Sequence, residues 1–405
     1  MVTSADVVIV GAGVVGLSCA VHLANAGAKV SVLESHTIGG GASTHNAGWV
    51  VPSMCDPVPS PAALRLAARQ VWRRDGPVKV GVRWSPAYAS FLLRMLVHSR
   101  ASAFARGRAL ASTLAVDAIP AYDRLAALGV SVDRYPRGVV RLYLDQEPAP
   151  GTHDWYVGGA EYLSRPDLDS LVGNLGPRVQ GGVLTPKDEY VDPETLMDGL
   201  TDRCRALGVR IHEGRTVRQA VEARGSVTLV TADGSITAGH AVLAAGVGAR
   251  QVAESLGVSL PVFAGKGYGF DYGPELSSSG PGLYLNEAKV AVTPLRRGLR
   301  LSGTMEFGSE GTRAEGRRPA GIHSAAADYF ARWPSHPPAA WAGLRPMTPD
   351  GLPVIGLLRE SSRVVAATGH AMLGVTLGPL TGELVLAIVT GDNPLMARPF
   401  SPMRF

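Results

Sequence analysis

The 405-residue sequence has little of what special frameworks are made from. Its three cysteines, Cys19, Cys55 and Cys204, are odd in number, far apart and without the spacing of a metal site. That excludes a disulfide scaffold and a cysteine-built zinc module, and points to reduced, buried thiols in a cytoplasmic protein. No run approaches the roughly eighteen uninterrupted apolar residues needed to span a bilayer. The apolar stretch from Val7 to Ala24 lacks a basic lead-in and is broken by Gly11, Gly13 and Gly16, so it is not a secretory leader. No internal repeat or low-complexity linker is visible. Charged residues are only 18% of the chain and hydrophobic ones 46%, a balance that excludes disorder.

The formal charge of +5 is unevenly spread. Residues 62–110 hold ten Lys and Arg, among them Arg65, Lys79, Arg94 and Arg108, against the single Asp75. Leu64, Trp72, Trp84, Phe91, Leu92 and Leu96 are interleaved with them. No nucleic-acid module accompanies this run, and its reading is solvated helix faces. The alternative is a basic amphipathic surface resting peripherally on anionic lipid at the inner face of the membrane, or docking an electron acceptor.

What is abundant is glycine, 49 residues, and its placement is informative. "VVIVGAGVVGLSCAVHLANAGAKVSVLES" predicts a strand over Val7–Val10, a tight turn, a helix over Val14–Asn25 closed by Gly27, and a strand over Lys29–Leu33. In that order Gly11 permits the turn, Gly13 lets the backbone approach a pyrophosphate and Gly16 lets the helix close on the strand. Glu34, ending the second strand, can accept from ribose hydroxyls and repel a 2′-phosphate, so FAD or NAD is favoured over NADP. The loop "GGGASTHNAGWVVP" (39–52) is small and hydrogen-bonding, suited to close approach by a large planar ligand.

At the other end, "VVAATGHAMLGVTLGPLTGELVLAIV" predicts a buried strand over Val364–Ala367, a glycine turn, and a helix from about Pro379 to Val389 capped by Gly378. Its amides and the peptides of Leu373–Leu377 form a donor patch that stabilises negative charge. Between the ends, residues 209–246 predict short strands turning at Arg224-Gly225 and Asp233-Gly234. Residues 289–307 predict two strands joined around Arg296–Gly298, with Leu299, Leu301, Gly303, Met305 and Phe307 on one buried face.

These segments, with "DEYVDPETL", "AVLAAGVGA", "GKGYGF" and "GLRPMTPDGLPVIG", resemble the FAD-dependent D-amino-acid oxidase and dehydrogenase superfamily along the whole chain. "NAG", "KGY" and "GLRPMTPDG" are most similar to bacterial D-amino-acid dehydrogenases, with glycine and sarcosine oxidases more distant. The resemblance implies an α/β fold: a doubly wound, Rossmann-like FAD domain from residues 1–52, 181–260 and 341–405, and an antiparallel-sheet capping domain from 53–180 and 261–340. It implies FAD contacts from Gly11, Gly13, Gly16, Glu34 and Ser35, and from the loop residues Gly41, Ala42, Ser43, His45, Asn46, Ala47 and Gly48. Val217, Ala245, Gly246, Gly369, Leu373, Gly374, Val375 and Thr376 complete that set.

On the substrate side the resemblance makes Arg345 the receiver of a substrate carboxylate, a role its fixed bidentate donors suit. Tyr268, Tyr284 and His370 are further candidates, each with a structural alternative. The implied reaction is hydride transfer from the α-carbon of a small amino acid, expected to be a D-amino acid, to flavin N5. The imino acid formed hydrolyses to a 2-oxo acid and ammonia, and no obligatory acid-base residue is required. His45 stands where some relatives carry a flavin-linked histidine, but the bacterial dehydrogenases lack that histidine, so non-covalent FAD is the expectation. Electrons would pass to a quinone or another carrier. The alternatives are an oxidase of glycine, sarcosine or a cyclic imino acid, a flavin subunit of an electron-transfer complex, and, last, an NAD-dependent dehydrogenase.

Overall fold

The computed structural model describes residues 3–70, 76–81, 83–148, 156–276, 279–314, 317–392 and 394–405. Arg73, Arg74 and Trp72 of the basic segment lie outside them. The N-terminal βαβ unit forms as its glycines dictate: strand Thr3–Val10, helix Val14–Asn25, strand Val30–Leu33. The two strands are parallel, Val7 opposite Val30 and Val10 opposite Leu33. Strand Gly234–Leu243 adds parallel on the other side of the first strand, and strand Val364–Thr368 adds parallel to it in turn. Helices Val14–Asn25, Pro193–Ala206 and Gly374–Val389 contribute to the core on one face of this sheet. The hairpin Val217–Ala223/Ser226–Thr231 and the short helix Ala249–Ser255 enclose a second core.

A nine-stranded, mostly antiparallel sheet makes the second layer. Its strands Ala340–Met347, Phe263–Tyr272, Gly298–Phe307, Val290–Leu295 and Gly282–Leu285 lie side by side in that order, and Val139–Leu144 follows. The expected boundaries at 180/181 and 340/341 cut through strands of this sheet, Val179–Thr185 and Ala340–Met347. The chain leaves the capping sheet only after residues 185 and 347. The helices Ala101–Ala115 and Ala118–Ala127 also depart from expectation, because Ala111, Leu114, Tyr122 and Leu125 are buried in the core that packs on the first sheet.

The run Leu299 to Phe307 does not share one face. Thr304 adopts φ +62° at a register shift against Phe263–Tyr272, and this extra residue turns the strand over. Leu299 and Leu301 pack with Phe270, whereas Met305 and Phe307 pack with Phe263 on the opposite side.

The C-terminal helix starts at Gly374, five residues before the expected Pro379, and carries that proline inside it. A proline there removes the N–H that would bond the carbonyl four residues earlier, that of Val375. The buried Tyr122 hydroxyl donates to the Val375 oxygen at 2.9 Å and satisfies it. Tyr122→Phe is therefore expected to destabilise the fold by about 1–3 kcal/mol, the usual cost of an unmet buried acceptor. A lower melting temperature checks this, and an unchanged one removes the role given to Tyr122.

Candidate functional site

Two helix N-termini meet at the centre of the molecule because of glycines on the C-terminal helix. Gly374, Gly378 and Gly382 recur at four-residue spacing and face Val14, Ser18 and His22, also four apart on the N-terminal helix. A Cβ on Gly382 would lie 2.8 Å from the Ser18 carbonyl oxygen, and one on Gly378 3.1 Å from Val14 Cγ2. The helices close to backbone contact, and neither first turn contains an acidic residue. Both ends thus point the positive ends of their dipoles toward one region, with Ser43 engaging only the Val14 N–H.

At the front, Gly11 (φ +105°) passes against Ala244 and Ala245, and a Cβ on Gly16 would come 2.0 Å from the Gly11 oxygen. Gly246 follows at once, its carbonyl accepting from Thr368 Oγ1 at 2.8 Å, which ties this crossing to the C-terminal strand. Glu34 closes the turn: Oε2 accepts from the Ala12 N–H at 2.8 Å and Oε1 from Ser35 Oγ at 3.0 Å. Val217 is buried in the same cluster as Leu33 and Val10, beside this carboxylate strand. Ser43 Oγ accepts from the Val14 N–H at 2.9 Å, so the loop supplies a hydroxyl at the helix N-terminus beside Gly13.

The loop from Gly41 to Trp49 is held by its own polar groups. Asn46 Nδ2 donates to the Ala42 and Ser43 carbonyls, and its Oδ1 accepts from the Gly48 N–H. His45 Nδ1 lies 3.3 Å from the Gly41 oxygen, and its ring centroid is 5.6 Å from that of Trp341. Thr293 Oγ1 donates to the Ala47 carbonyl and accepts from Trp49 Nε1. Thr376, in the first turn of the C-terminal helix, donates to the Trp49 carbonyl at 2.9 Å, so loop and helix are joined directly.

Above this loop lies one face of the capping sheet, floored by Gly265, Gly267 and Gly269. Larger side chains cross these glycines: Met305 and Met347 at Gly265, the Arg345 guanidinium at Gly267 and the Trp341 indole at Gly269, each within 3 Å of where a Cβ would stand. This explains the alternation in "GKGYG". Arg345 Nη1 donates to the Thr304 carbonyl at 2.8 Å, and among the described residues no carboxylate pairs with it. The guanidinium is enclosed by protein, although the residue keeps some accessibility, and burial pulls its pKa from 12.5 down to about 10. A desolvated, uncompensated cation is a receptor for a carboxylate.

The register sorts the other candidates. Gly269 stands opposite Ser302, Ser302 opposite Ala291, and Ala291 opposite Tyr284, so Tyr284 shares the Arg345 face. Its ring centroid lies 6.1 Å from that of Trp49. Tyr268 alternates with the floor glycines and faces the other side, where its hydroxyl donates to Glu306 Oε2 at 2.9 Å. His370 is buried in the turn, and its Nε2 bonds Thr381 Oγ1 at 2.9 Å. That hydroxyl donates to Leu377, so the imidazole is the donor, and burial lowers its pKa to about 4. A neutral His370 braces the turn of Gly369 (φ +73°) and Leu373, whose N–H donates to the His370 carbonyl. The adjoining Ala371 N–H donates to Pro346 O, fixing this turn beside Arg345.

Two residues were missed in the sequence. Arg300 is buried, bidentate with Asp271, and donates to the Thr44 and Asn46 carbonyls, clamping the loop to the sheet. Arg141, opposite Tyr284 in the ladder, places its guanidinium 4.6 Å from that ring centroid and leaves its buried Nε without a partner. Only strand pairing reveals either; nothing in "GLRL" or "VVRLYL" marks them locally.

These residues fit FAD. The N-terminal glycine turn with Glu34 and Ser43 suits the ADP half, and the amides of Gly374–Thr376 suit an electron-rich ring edge. The buried Trp341 Nε1 and Thr304 Oγ1, without partners, add polar atoms beside Arg345. Comparison with known proteins agrees. Residues 6–388 match the DAO family, FAD dependent oxidoreductase. The chain is 28% identical over 403 residues to D-amino acid dehydrogenase of Bradyrhizobium diazoefficiens, covering 96% of each. It is 30% identical over 408 residues to that of Methylobacterium radiotolerans, covering 96% of this chain and 97% of the other. Among solved structures it resembles glycine oxidase from Geobacillus kaustophilus, with a TM-score of 0.75 at 23% identity over 99% of each chain. L-proline dehydrogenase from P. horikoshii shares the fold with a TM-score of 0.74 at 16% identity, over 100% of this chain and 98% of the other. Matched over residues 6–388, the chain belongs to the DAO family of FAD-dependent oxidoreductases.

Proposed function

We propose that the protein oxidatively deaminates D-amino acids as a dehydrogenase. The observation that carries this is Arg345, a partly buried cation that pairs with no carboxylate among the described residues, on the face that covers the cofactor site. The names of the relatives support the D-configured substrate. FAD, when bound, supplies the two-electron acceptor for the hydride of the substrate α-carbon. Arg345 binds the substrate carboxylate, and Tyr284, packed edge-on against Trp49, lies farther along the same face of the sheet. The first-turn amides of Gly374–Thr376 would help hold the bound flavin, as donors that favour negative charge. His370, neutral across the physiological range, moves no proton there.

The test is anaerobic mixing of the yellow protein with D-, L- and N-methyl amino acids. Bleaching by D-amino acids supports the reading; bleaching by glycine or sarcosine alone, with peroxide release in air, replaces it with an oxidase. We take the FAD to be non-covalent: acid precipitation is expected to leave a yellow supernatant, and a yellow pellet would assign a bond, with His45 its candidate.

Electron transfer to a quinone or other carrier is assigned to the surface of helix Pro86–His98. Lys79, Arg83 and Arg108 of the basic segment are paired with Glu306, Glu310 and Asp56. Leu93, Leu96 and Val97 stay exposed, and Trp84 is 98% exposed, with Arg94 and Arg100 in the same stretch. Such a surface suits an anionic bilayer. Among the described residues no helix is long and apolar enough to cross a membrane. Salt-sensitive co-sedimentation with anionic liposomes is expected; absence of binding at low and high salt removes this part.

A further inference from the structure

The face of the capping sheet turned away from Arg345 borders a cavity of about 850 Å3. Lys79, Lys266, Arg313, Arg317 and Arg318 line it, with Ser309 and Thr312. Glu306 is the one carboxylate among its described lining residues, and it is already engaged. It accepts from Lys79 Nζ at 2.9 Å and from the Tyr268 hydroxyl at 2.9 Å, and lies 3.6 Å from Arg318 Nε.

Lys266 stands opposite Glu306 in the ladder, but among the described residues it forms no ion pair with a carboxylate. It is 5% exposed, donates to the Arg313 carbonyl and lies 5.2 Å from the Tyr268 ring centroid. Neither contact carries a full negative charge, and a buried ammonium without one is costly. Arg317 stands exposed on the cavity wall as the first residue of helix Arg317–Ala327, whose opening turn contains no acid. The helix dipole therefore adds to the cationic field. An ammonium, guanidinium forks and two hydroxyls match tetrahedral oxyanions, and more than one negative charge is needed to balance Lys266 and Arg317 together.

We propose that this cavity binds a multiply charged phosphate, free or carried on a small organic molecule. It is separate from the oxidation site, because Tyr268 and Lys266 alternate with the glycines that floor Arg345. Occupancy therefore does not compete with the amino acid. This proposal does not rest on the identity of the oxidised substrate.

The experiment titrates inorganic pyrophosphate, then a nucleoside monophosphate, into the FAD-loaded protein by calorimetry. Saturable binding of pyrophosphate is expected, retained in Arg345→Leu and weakened about tenfold or more in Arg317→Ala and Lys266→Met, the effect of losing one charge-assisted contact. The exposed Arg317 keeps the test independent of any folding defect in the buried Lys266 variant. Stronger binding of the monophosphate places the phosphate on an organic carrier, and stronger pyrophosphate binding favours a free anion. Absence of saturable binding, affinity unchanged in Arg317→Ala, or binding lost in Arg345→Leu overturns the proposal.

Discussion

Arg345→Leu is expected to raise the KM for the amino acid on the order of a hundredfold or more while the purified protein stays yellow. Removing one partner of a buried charge pair typically costs about 2–5 kcal/mol. Here the cost falls on substrate binding alone, because among the described residues Arg345 hydrogen-bonds only the Thr304 carbonyl and the Met305 sulfur. Folding does not suffer, since the free protein bears the cation uncompensated. The same logic fixes the pH dependence. Burial lowers the Arg345 pKa to about 10, so the guanidinium is charged at neutral pH and discharges as pH rises through that value. In the wild type the KM should climb above about pH 10, and this limb should vanish in Arg345→Leu. A bound carboxylate favours the charged form and moves the discharge upward, so the limb belongs to kcat/KM rather than kcat. Unaltered KM in the variant, or colourless protein, would sink the assignment.

How much of this was legible depended on how far apart the cooperating residues lie. The front βαβ unit was readable because Gly11, Gly13, Gly16 and Glu34 act within one short stretch, and the helix Val14–Asn25 has the anticipated ends. The true start of the C-terminal helix was not, because Pro379 is tolerated only through Tyr122, 253 residues away from Val375. Parity was invisible too. Tyr268 and Tyr284 look alike in sequence, and only the ladder puts one with Arg345 and the other with Glu306. The bulge at Thr304 defeated the period-two reading for a related reason: a left-handed threonine carries none of the glycine punctuation that announces a turn. Arg345 itself was found by resemblance, and its isolation from acids is a fact of the folded chain.

Gly382→Ala should give a folded protein that releases its flavin at a markedly lower temperature and is purified partly colourless. The added methyl has nowhere to go: its carbon would stand 2.6 Å from His22 Cδ2 and 2.8 Å from the Ser18 carbonyl oxygen, and the second of these is backbone. Overpacking of this kind costs about 1–3 kcal/mol. Relief requires the C-terminal helix to back away from Val14–Asn25, and the displacement carries Gly374 and Thr376 with it. Thr376 then loses its bonds to the Trp49 carbonyl and the Val51 N–H, which hold the loop under the capping sheet. Although Gly382 lies two turns beyond the donor end, its substitution therefore acts on both grips at once. Gly391→Ala is the control, since nothing stands within 4 Å of a Cβ there and only its own φ of +95° is strained. A smaller loss of flavin in Gly391→Ala than in Gly382→Ala is the expected order. Equal flavin content and equal release temperature in the Gly382 variant and the wild type would show that the two helix ends bind the cofactor independently.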